Sequence, residues 1–364
     1  MSSPAVAIPT PRKTAALLHL SRVRKTFDGL NAVDTIDLTV REGEFFTIVG
    51  PSGSGKTTLL RMLAGMDRPT AGDIVLRGVS ISSLPPNKRP TCLVFQSLAL
   101  FPHKSVGQNI EFPLKVRKVG AEARRERAEE LMRMVRLPES YYAKNVMKCS
   151  GGERQRVALA RAFAYDPEIL LFDEPLSAID YKLRKTLEKE LKDLHRQSGK
   201  TFIYITHSLE EAMVMSDRIG VMQAGKLVQV GTPEEIYMRP TNRFVGEFMG
   251  ETNVLPVRSD GYGGFAIAEL PDKYKVAGHG EALEGFIVLR PEFVQFVEAE
   301  HPPENTLRGR ICNEYSLGSR VQYQVQVGKR VILMEQPRGA LCPPGDGGDV
   351  LIGWNAADAA FVAE

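Results

Sequence analysis

The sequence predicts an α/β domain with a mainly parallel sheet and an inserted helical subdomain, followed by a smaller all-β domain. Three observations predict this. Short apolar runs alternate with helical stretches up to about residue 231. A long helical stretch separates "TCLVFQ" from "EILLFDE". Beyond residue 252, short alternating segments between Gly and Pro clusters are typical of a small β barrel.

The composition indicates soluble globular domains. The 364 residues are 43% hydrophobic and 25% charged, and the net charge of +3 is too small to indicate a nucleic-acid surface. The four scattered cysteines argue against a metal site or disulfide framework and fit a reducing cytosol. No apolar run reaches the roughly 18 residues that span a bilayer. Residues 1–16 predict a flexible tail rather than a signal peptide.

Strands and helices of the first domain follow from apolar periodicity. The stretch "GAEARRERAEELMRMVRL" has Ala, Leu, Met and Val at helical spacing among Arg and Glu, so we expect a helix with a solvated charged face. A nucleic-acid-binding patch is the alternative interpretation. Strands are expected at "LLHLSRVRKTF", "AVDTIDLTV", "EFFTIV", "DIVLRG", "TCLVFQ", "EILLFDE", "TFIYIT", "RIGVMQ" and "KLVQVG".

The stretch "GPSGSGKTT", residues 50–58, fits G-x-x-x-x-G-K-[ST] between a predicted strand and a predicted helix that ends near Gly65. Its glycines let backbone N–H groups converge on phosphate oxygens, and the helix N-terminus adds partial positive charge. Lys56 is expected to reach the β- and γ-phosphates, and the Thr57 hydroxyl to bind Mg²⁺. A Gly/Ser-rich turn without a ligand is the alternative.

The strand "EILLFDEP", residues 168–175, ends in two carboxylates. We expect Asp173 to hold Mg²⁺ and Glu174 to polarise the water that attacks the γ-phosphate. Pro175 predicts an extended backbone at Glu174. An ordinary turn after a strand is the alternative interpretation.

The stretch "CSGGERQRVALARA", residues 149–162, predicts a helix that begins with a capping box between Ser150 and Glu153. Gly151 and Gly152 leave backbone N–H donors accessible to an anion, at positions where glycine has poor helix propensity. A capped helix without a ligand is the alternative, but it does not explain the two glycines.

Together these motifs resemble the ATP-binding-cassette (ABC) ATPases over roughly residues 17–250. The resemblance implies a RecA-like P-loop NTPase core at residues 17–240, with a helical subdomain at about 100–165. It also implies two chains that sandwich two ATP molecules head to tail, with Mg²⁺. The residues it assigns are Gly50, Pro51, Ser52, Gly53, Ser54, Gly55, Lys56, Thr57 and Thr58 in the Walker A loop, Gln96 near the metal and water, the signature Ser150, Gly151 and Gly152, Asp173 and Glu174 of Walker B, Asp180 of the D-loop, and the switch His207.

His207 and Phe27 also have local alternatives. His207 ends the strand "TFIYIT" and precedes a second predicted capping box, Ser208 to Glu211. Alone it would be a structural histidine, whereas the resemblance gives it a γ-phosphate contact. Phe27 of "RKTFDG" lies where the family stacks an aromatic ring on adenine, and a core position is the alternative.

The signature departs from the family's Leu-Ser-Gly-Gly-Gln, because Cys149 replaces the Leu and Glu153 the Gln. Glu caps a helix start as Gln does, so the helix should form. A carboxylate close to a triphosphate is unfavourable unless it turns back into the cap. We therefore expect the departure to affect turnover more than activity itself.

The task coupled to ATP follows from resemblance alone. Residues 97–113 resemble the segment that receives the coupling helix of a membrane subunit. A linker at 241–252 and an OB-like regulatory TOBE domain at 253–364, with "VLRPE", resemble importers of polyamines, ferric iron, sugars and phosphonates. The implied partners are a second copy of the chain, two integral-membrane permease subunits and, indirectly, a solute-binding protein. The resemblance places the chain at the periphery of the inner membrane, on its cytoplasmic face. Among the solutes it favours polyamine-like ones.

Two other classes of protein stay open. A soluble ABC ATPase could act on DNA or ribosomes through its β-rich tail, because OB folds bind single strands. The tail's modest charge and the lack of a basic and aromatic stripe argue against it, so no nucleic-acid partner is expected. A kinase or GTPase without a dimer is the second alternative, and the signature helix argues against that.

Overall fold

The computed structural model describes residues 15–177, 179–259, 264–267, 270, 273–276, 284–297, 302–340 and 348–363. The chain divides into two compact units, residues 1–233 and 234–364. Most of the predicted tail lies outside the described residues, and the first strand begins at Ala16. Among the described residues, no helix has the length and apolar character needed to cross a bilayer.

The first unit alternates strands and helices as the apolar periodicity predicts. Its strands are β1 (Ala16–Phe27), β2 (Leu30–Arg41), β3 (Phe45–Val49), β4 (Ala71–Leu76), β5 (Val79–Ser80), β6 (Thr91–Val94), β7 (Ile169–Asp173), β8 (Thr201–Ile205), β9 (Arg218–Gln223) and β10 (Lys226–Gly231). Its helices are α1 (Lys56–Ala64), α2 (Val106–Val116), α3 (Ala121–Met134), α4 (Gly151–Ala164), α5 (Tyr181–Ser198) and α6 (Leu209–Met215).

The central sheet has the order β10-β9-β3-β8-β7-β6, and its inner pairs are parallel. Every residue of β3 and β8 is buried, as expected for strands covered on both faces. Ligands of such sheets bind beyond the carboxyl ends of the strands. This edge is where β3 leads into the Gly-rich loop and β7 into Asp173. A separate antiparallel sheet has the order β2-β1-β4-β5.

The helical subdomain is formed by α2, α3 and α4, as predicted. Buried Ile110, Leu131 and Val157, one from each helix, belong to one core cluster with Phe172 of β7. This cluster attaches the helix that begins after Ser150 to the strand that ends at Asp173.

The second unit is built from antiparallel strands that share one core. Its described sheets have the orders β13-β12-β11-β14-β20 and β15-β19-β16-β17-β18, and Ile287, Val325 and Trp354 lie in one buried cluster. The prediction of an all-β second domain is confirmed. The elements are α7 (Pro233–Met238), α8 (Arg243–Phe248), β11 (Asn253–Ser259), β12 (Gly264–Ile267), β13 (Lys273–Lys275), β14 (Glu284–Leu289), β15 (Gln295–Phe296), β16 (Asn305–Ser316), β17 (Arg320–Val327), β18 (Arg330–Pro337), β19 (Asp349–Trp354) and β20 (Ala359–Val362).

Residues 241–252, predicted as a linker, contain α8 and group with the second unit. Buried Arg290 of "VLRPE" explains this packing. Its guanidinium donates to the carbonyl oxygens of Gly246, at 3.0 Å, and Tyr237, at 3.2 Å. It thereby pairs helix carbonyls that lack intrahelical partners. The sequence does not predict this contact, because the residues that it joins are more than 40 positions apart.

Candidate active site

The Gly-rich loop joins β3 to α1 and leaves the start of the helix open to a ligand. The N-cap residue is Gly55, which has no side chain to accept a hydrogen bond from the first-turn N–H groups. An α-helix has such unpaired donors in its first turn, and they bind anions. The C-cap is Gly65 with φ +80°, which confirms the predicted helix end.

Two of the loop glycines are required by the packing of the chain itself. A Cβ on Gly50 would lie 2.2 Å from the carbonyl oxygen of Met222, and one on Gly55 would lie 2.1 Å from that of Ala32. Gly53 has φ +77° with open space around it, so its requirement is conformational. The motif glycines therefore fix the shape of the loop before any ligand is bound.

Lys56 is buried inside the loop. Its Nζ donates to the carbonyl oxygens of Gly50 and Pro51, both at 2.9 Å. Burial lowers the pKa of the ammonium, and the charges of Glu174 and Asp173 oppose that shift. The lysine is thus a shielded cation at the start of α1, within the field of both carboxylates.

Thr57 and Asp173 meet between α1 and the end of β7. The Thr57 hydroxyl donates to Asp173 Oδ1 at 3.4 Å. Desolvation is the main cause of a raised pKa of Asp173, and the negative charge of Glu174 adds to it. A partly desolvated carboxylate beside a hydroxyl is an oxygen site that a small divalent cation would stabilise, so these residues fit Mg²⁺.

Glu174 has a backbone conformation that the sequence did not predict. Its φ is +46°, in the left-handed region, so the expectation of an extended residue before Pro175 is wrong. Its N–H donates to the carbonyl of Ile205 at 3.0 Å, which holds the chain as it turns away from the sheet. A non-glycine residue at positive φ carries strain that surrounding contacts must hold, and such residues cluster at functional sites.

The carboxylate of Glu174 lies against the ring of His207. The distance from Oε2 to Nδ1 is 3.0 Å, and the histidine is exposed. The two predicted catalytic side chains, 33 positions apart, therefore meet at the ends of neighbouring strands β7 and β8. The exposure of His207 and its pairing with a carboxylate favour a role at the site over the alternative of a structural histidine at a strand end.

Only half of the second predicted capping box forms. The Ser208 hydroxyl accepts the N–H of Glu211 at 3.3 Å. The Glu211 carboxylate does not return to Ser208, because it is buried and accepts from the hydroxyls of Tyr204, at 2.9 Å, and Thr206, at 2.7 Å. Its contacts fix the end of β8 immediately before His207.

Gln96 reaches the same region from the end of β6. Its amide donates to the Ser177 hydroxyl at 2.9 Å, and that hydroxyl donates to the carbonyl oxygen of Glu174 at 3.0 Å. Ser177 was missed by sequence reasoning, since "PLS" carries no motif of its own. The chain of two hydrogen bonds connects Gln96 to the backbone of Glu174, the predicted catalytic residue with the positive φ.

Phe27 lies at the end of β1 with 46% of its surface exposed, so the alternative of a core residue is wrong. The Lys25 ammonium lies 4.8 Å from the centre of its ring. The exposed face is suited to stacking on a planar group.

The start of α4 is capped as predicted. The Ser150 hydroxyl accepts the N–H of Glu153 at 3.2 Å, and the Glu153 carboxylate accepts the N–H of Ser150 at 2.8 Å. Because the hydroxyl oxygen accepts in this cap, its proton is available for an external acceptor. In the described part of the chain, nothing lies within 4 Å of a Cβ placed on Gly151, and a Cβ on Gly152 would meet only Leu183 at 3.4 Å.

Asp180 is the N-cap of α5, where its carboxylate accepts the N–H of Leu183 at 3.0 Å. Arg161 of α4 was missed by sequence reasoning. Its guanidinium donates to the carbonyls of Leu98 and Ala99, each at 2.7 Å, and both residues have positive φ. An arginine among the apolar residues of "VALARAFA" was the available signal. It fixes the segment that follows Gln96 to the signature helix.

These features together define an ATP-binding-cassette ATPase. A phosphate-binding helix start and a carboxylate beside a hydroxyl lie at one edge of the sheet, with Glu174 paired to His207, and the same chain carries the capped Ser-Gly-Gly helix. The family models agree, because the ABC transporter model matches residues 33–177 and the TOBE domain model matches residues 287–362.

The chain also matches curated proteins over nearly its whole length. It is 42% identical over 360 residues to the spermidine/putrescine import ATP-binding protein PotA of Mesorhizobium japonicum, covering 95% of this chain and 97% of the relative. The protein of the same name from Thermotoga maritima is 41% identical over 333 residues, covering 87% and 88%. The chain therefore belongs to the ABC transporter family, as an ATP-binding subunit that hydrolyses ATP.

Solved structures match about three-fifths of the chain. The ATP-binding cassette MJ0796, in a dimeric post-hydrolysis state bound to ADP and Pi, is 32% identical with a TM-score of 0.53, covering 60% of this chain and 99% of that one. The structure of cbiO1 from Clostridium perfringens is 26% identical with a TM-score of 0.57, covering 61% and 90%. The predicted fold and the predicted ATPase activity are confirmed.

Proposed function

We propose that two copies of this chain bind ATP head to tail on the cytoplasmic face of the cell membrane and energise import of a polyamine through two permease subunits. The observation that carries the enzymatic part is the convergence of Lys56, Thr57, Asp173, Glu174 and His207 at one edge of the parallel sheet. The names of the relatives, which specify spermidine and putrescine import, support the solute.

In this proposal each chain supplies most of one nucleotide site. The N–H groups of the loop from Gly50 to Thr58, including Pro51, Ser52, Gly53 and Ser54, bind the phosphates, and the Lys56 ammonium exchanges its two carbonyl partners for phosphate oxygens. Phe27 stacks on adenine. Thr57 and Asp173, with Gln96 nearby, would hold Mg²⁺, which when bound offsets the charge of the β- and γ-phosphates.

The chemical step belongs to Glu174 and His207. The Glu174 carboxylate orients the attacking water and takes its proton as the bond to the γ-phosphorus forms. The bond from that phosphorus to the β–γ bridging oxygen breaks, and its electron pair leaves with ADP. His207, held by Glu174 at 3.0 Å, contacts the γ-phosphate. The hydrogen bonds from Gln96 to Ser177 and from Ser177 to the carbonyl oxygen of Glu174 hold the backbone that carries the carboxylate.

The partner chain completes the site with its signature helix. The Ser150 hydroxyl and the N–H groups of Gly151 and Gly152 would bind the γ-phosphate across the dimer, and Asp180 would lie beside it. The space around Gly151 supports this role, because this chain does not itself need a glycine there. The dimeric state of the solved relative is a further support.

A trapped dimer tests the sandwich. Glu174→Gln keeps the size and hydrogen bonding of the side chain but cannot take a proton, so hydrolysis should fall by about 100-fold or more. We expect ATP to convert this variant from monomer to dimer in light scattering, and ADP to leave it monomeric. An ATP-bound variant that stays monomeric would contradict the sandwich.

Co-purification and uptake test the transport task. The tagged chain is isolated from gently solubilised membranes of its host, and co-purifying proteins are identified by mass spectrometry. We expect stoichiometric polytopic partners, whose reconstituted vesicles take up labelled spermidine or putrescine with the wild-type chain and not with Glu174→Gln. Ferric iron, a sugar and a phosphonate are the competing solutes. Recovery of ribosomes or nucleic acid instead would overturn the import function.

A further inference from the structure

Glu153 places a carboxylate in the first turn of α4, the helix whose start contacts the partner's γ-phosphate in the proposed function. Both carboxylate oxygens are turned back into the chain. Oε2 accepts the N–H of Ser150 at 2.8 Å, and Oε1 accepts the hydroxyl of Tyr141 at 3.2 Å. These contacts keep the oxygens on the cap side of the helix start.

Lys144 is the cation that accompanies this carboxylate. Its Nζ donates to Glu153 Oε2 at 3.4 Å and lies 3.6 Å from the centre of the Tyr141 ring. The two charged side chains are only 25% and 26% exposed, so water screens the pair less than it would on an open surface. Lys144, Glu153 and Tyr141 therefore contact one another.

The backbone of Lys144 is fixed independently of its side chain. Its carbonyl oxygen accepts the N–H of Val106 at 2.9 Å, and its own N–H donates to the carbonyl of Tyr141 at 2.9 Å. The ammonium is therefore presented from an anchored position, and less chain entropy is lost when the ion pair forms.

We propose that Lys144 is a positioning residue for ATP hydrolysis, which neutralises and holds back the Glu153 carboxylate so that the Ser150 helix start can accept the γ-phosphate. This inference rests on the proposed sandwich. Without Lys144, the negative charge in the first turn would offset the partial positive charge of the helix N-terminus and repel the triphosphate. The departure of the signature from Gln to Glu is thus compensated within the chain.

A double-mutant cycle in the Glu174→Gln background tests this assignment. The measured quantity is the ATP concentration that gives half-maximal dimer in light scattering. We expect Lys144→Met to raise it by about 3- to 5-fold, the upper end of the range for one ion pair near the surface. In a background that also carries Glu153→Gln, Lys144→Met should change it by less than about 2-fold, because no carboxylate is left to compensate.

Three controls separate a charge effect from a folding effect. Lys148→Met removes an exposed lysine from the same segment and should leave dimerisation unchanged. Lys144→Arg keeps the charge and should behave as the parent does. Raising the ionic strength to about 0.5 M should shrink the difference between Lys144→Met and the parent, because salt screens the repulsion. ATP binding by the monomer should be equal in all variants.

The outcomes distinguish this inference from the function on which it rests. A Glu174→Gln parent that stays monomeric with ATP overturns the sandwich and the role of Lys144 together. If the parent dimerises and Lys144→Met has no effect, or has the same effect with and without Glu153→Gln, Lys144 is not the counter-charge and only this inference fails.

Discussion

The helices α1 and α4 both begin at glycine-rich turns, but their N-termini are completed in different ways. At α1 the N-cap is Gly55, and the first-turn N–H groups are left for a ligand. At α4 the Ser150 and Glu153 capping box satisfies part of the first turn from within the chain. The start of α1 can therefore offer its first-turn N–H groups to a ligand held in the preceding loop. The start of α4 can offer only the N–H groups that its capping box does not use.

The glycines at the starts of α1 and α4 also differ in whether the chain's own packing requires them. Gly55 is enforced by the chain itself, because any Cβ would collide with the backbone of Ala32. Gly151 has open space around it in the described part of the chain. A glycine that costs helix stability and has no reason in its own chain indicates that something outside the chain approaches it. This difference supports the proposed sandwich, in which the phosphate loop acts within its own chain and the signature helix acts on a second one.

The largest expected effect comes from exchanging these glycines for alanine. Gly55→Ala forces a Cβ 2.1 Å from a backbone oxygen at φ +98° and should destabilise the fold by about 3 kcal/mol or more, with loss of ATP binding. Gly151→Ala should keep or raise stability, by up to about 1 kcal/mol from helix propensity. Urea unfolding and nucleotide titration measure both. Equal stability of the two variants would remove the contrast between the helix starts.

Loss of the Lys56 ammonium should be the next largest effect. Lys56→Ala removes the buried cation and should weaken ATP binding by about 100-fold, as expected for a charge-assisted phosphate contact in a shielded site. Lys182, an exposed lysine on α5, is the matched control for general loss of charge. Isothermal titration of the monomer is the measurement, and an unchanged affinity in Lys56→Ala would contradict the assigned role.

The sequence predicts α1 and its loop well because every requirement is local. A strand, a loop of fixed glycines and a helix follow one another within about twenty residues, so the pattern carries its own geometry. The Ser150 cap is predictable for the same reason, because its two partners are three residues apart.

What the sequence does not predict depends on distant contacts. The backbone of Glu174 turns to positive φ because Ile205 on the neighbouring strand holds its N–H, against the preference that Pro175 imposes. The Glu211 carboxylate leaves its local cap because two buried hydroxyls compete for it. Lys144 comes to Glu153 through a segment without a motif. In the first two cases tertiary contacts override a local rule, and in the third no local rule exists.

A smaller effect is expected from removing the cap hydroxyl at each of two matched boxes. Ser105 caps α2 with Gln108 just as Ser150 caps α4 with Glu153. Ser105→Ala and Ser150→Ala should each cost about 1 kcal/mol of stability. Only Ser150→Ala should also impair ATP-dependent dimerisation of the Glu174→Gln variant. Equal dimerisation in the two serine variants would show that Ser150 acts as a cap alone.

The smallest effect concerns the charge at Glu153. The Ser150 N–H is the main cause of the lowered pKa of this carboxyl, desolvation opposes the shift, and Tyr141 and Lys144 add to the lowering. A depressed folded-state pKa adds stability above the unfolded pKa of about 4.3, and that stability is lost as the pH falls through the folded-state value. Glu153→Gln keeps a cap acceptor but not the charge, so it should lower stability by less than about 1 kcal/mol at pH 7.

The pH dependence of that difference identifies its cause. Urea unfolding of the parent and of Glu153→Gln between pH 7 and about pH 3 should give stability curves that stay apart above about pH 4.3 and converge below it. The cause is that the unfolded parent takes up a proton at higher pH than the folded parent does, whereas the variant has no carboxyl to titrate. The same comparison in the Lys144→Met background, with and without Glu153→Gln, should converge over a smaller difference, because the contribution of Lys144 to the lowered pKa is gone. Some convergence should remain, because the Ser150 N–H still lowers the pKa of Glu153. A gap that stays constant over this range would mean that Glu153 stabilises α4 through shape and hydrogen bonding rather than through charge, and the two helix starts would then differ in capping alone.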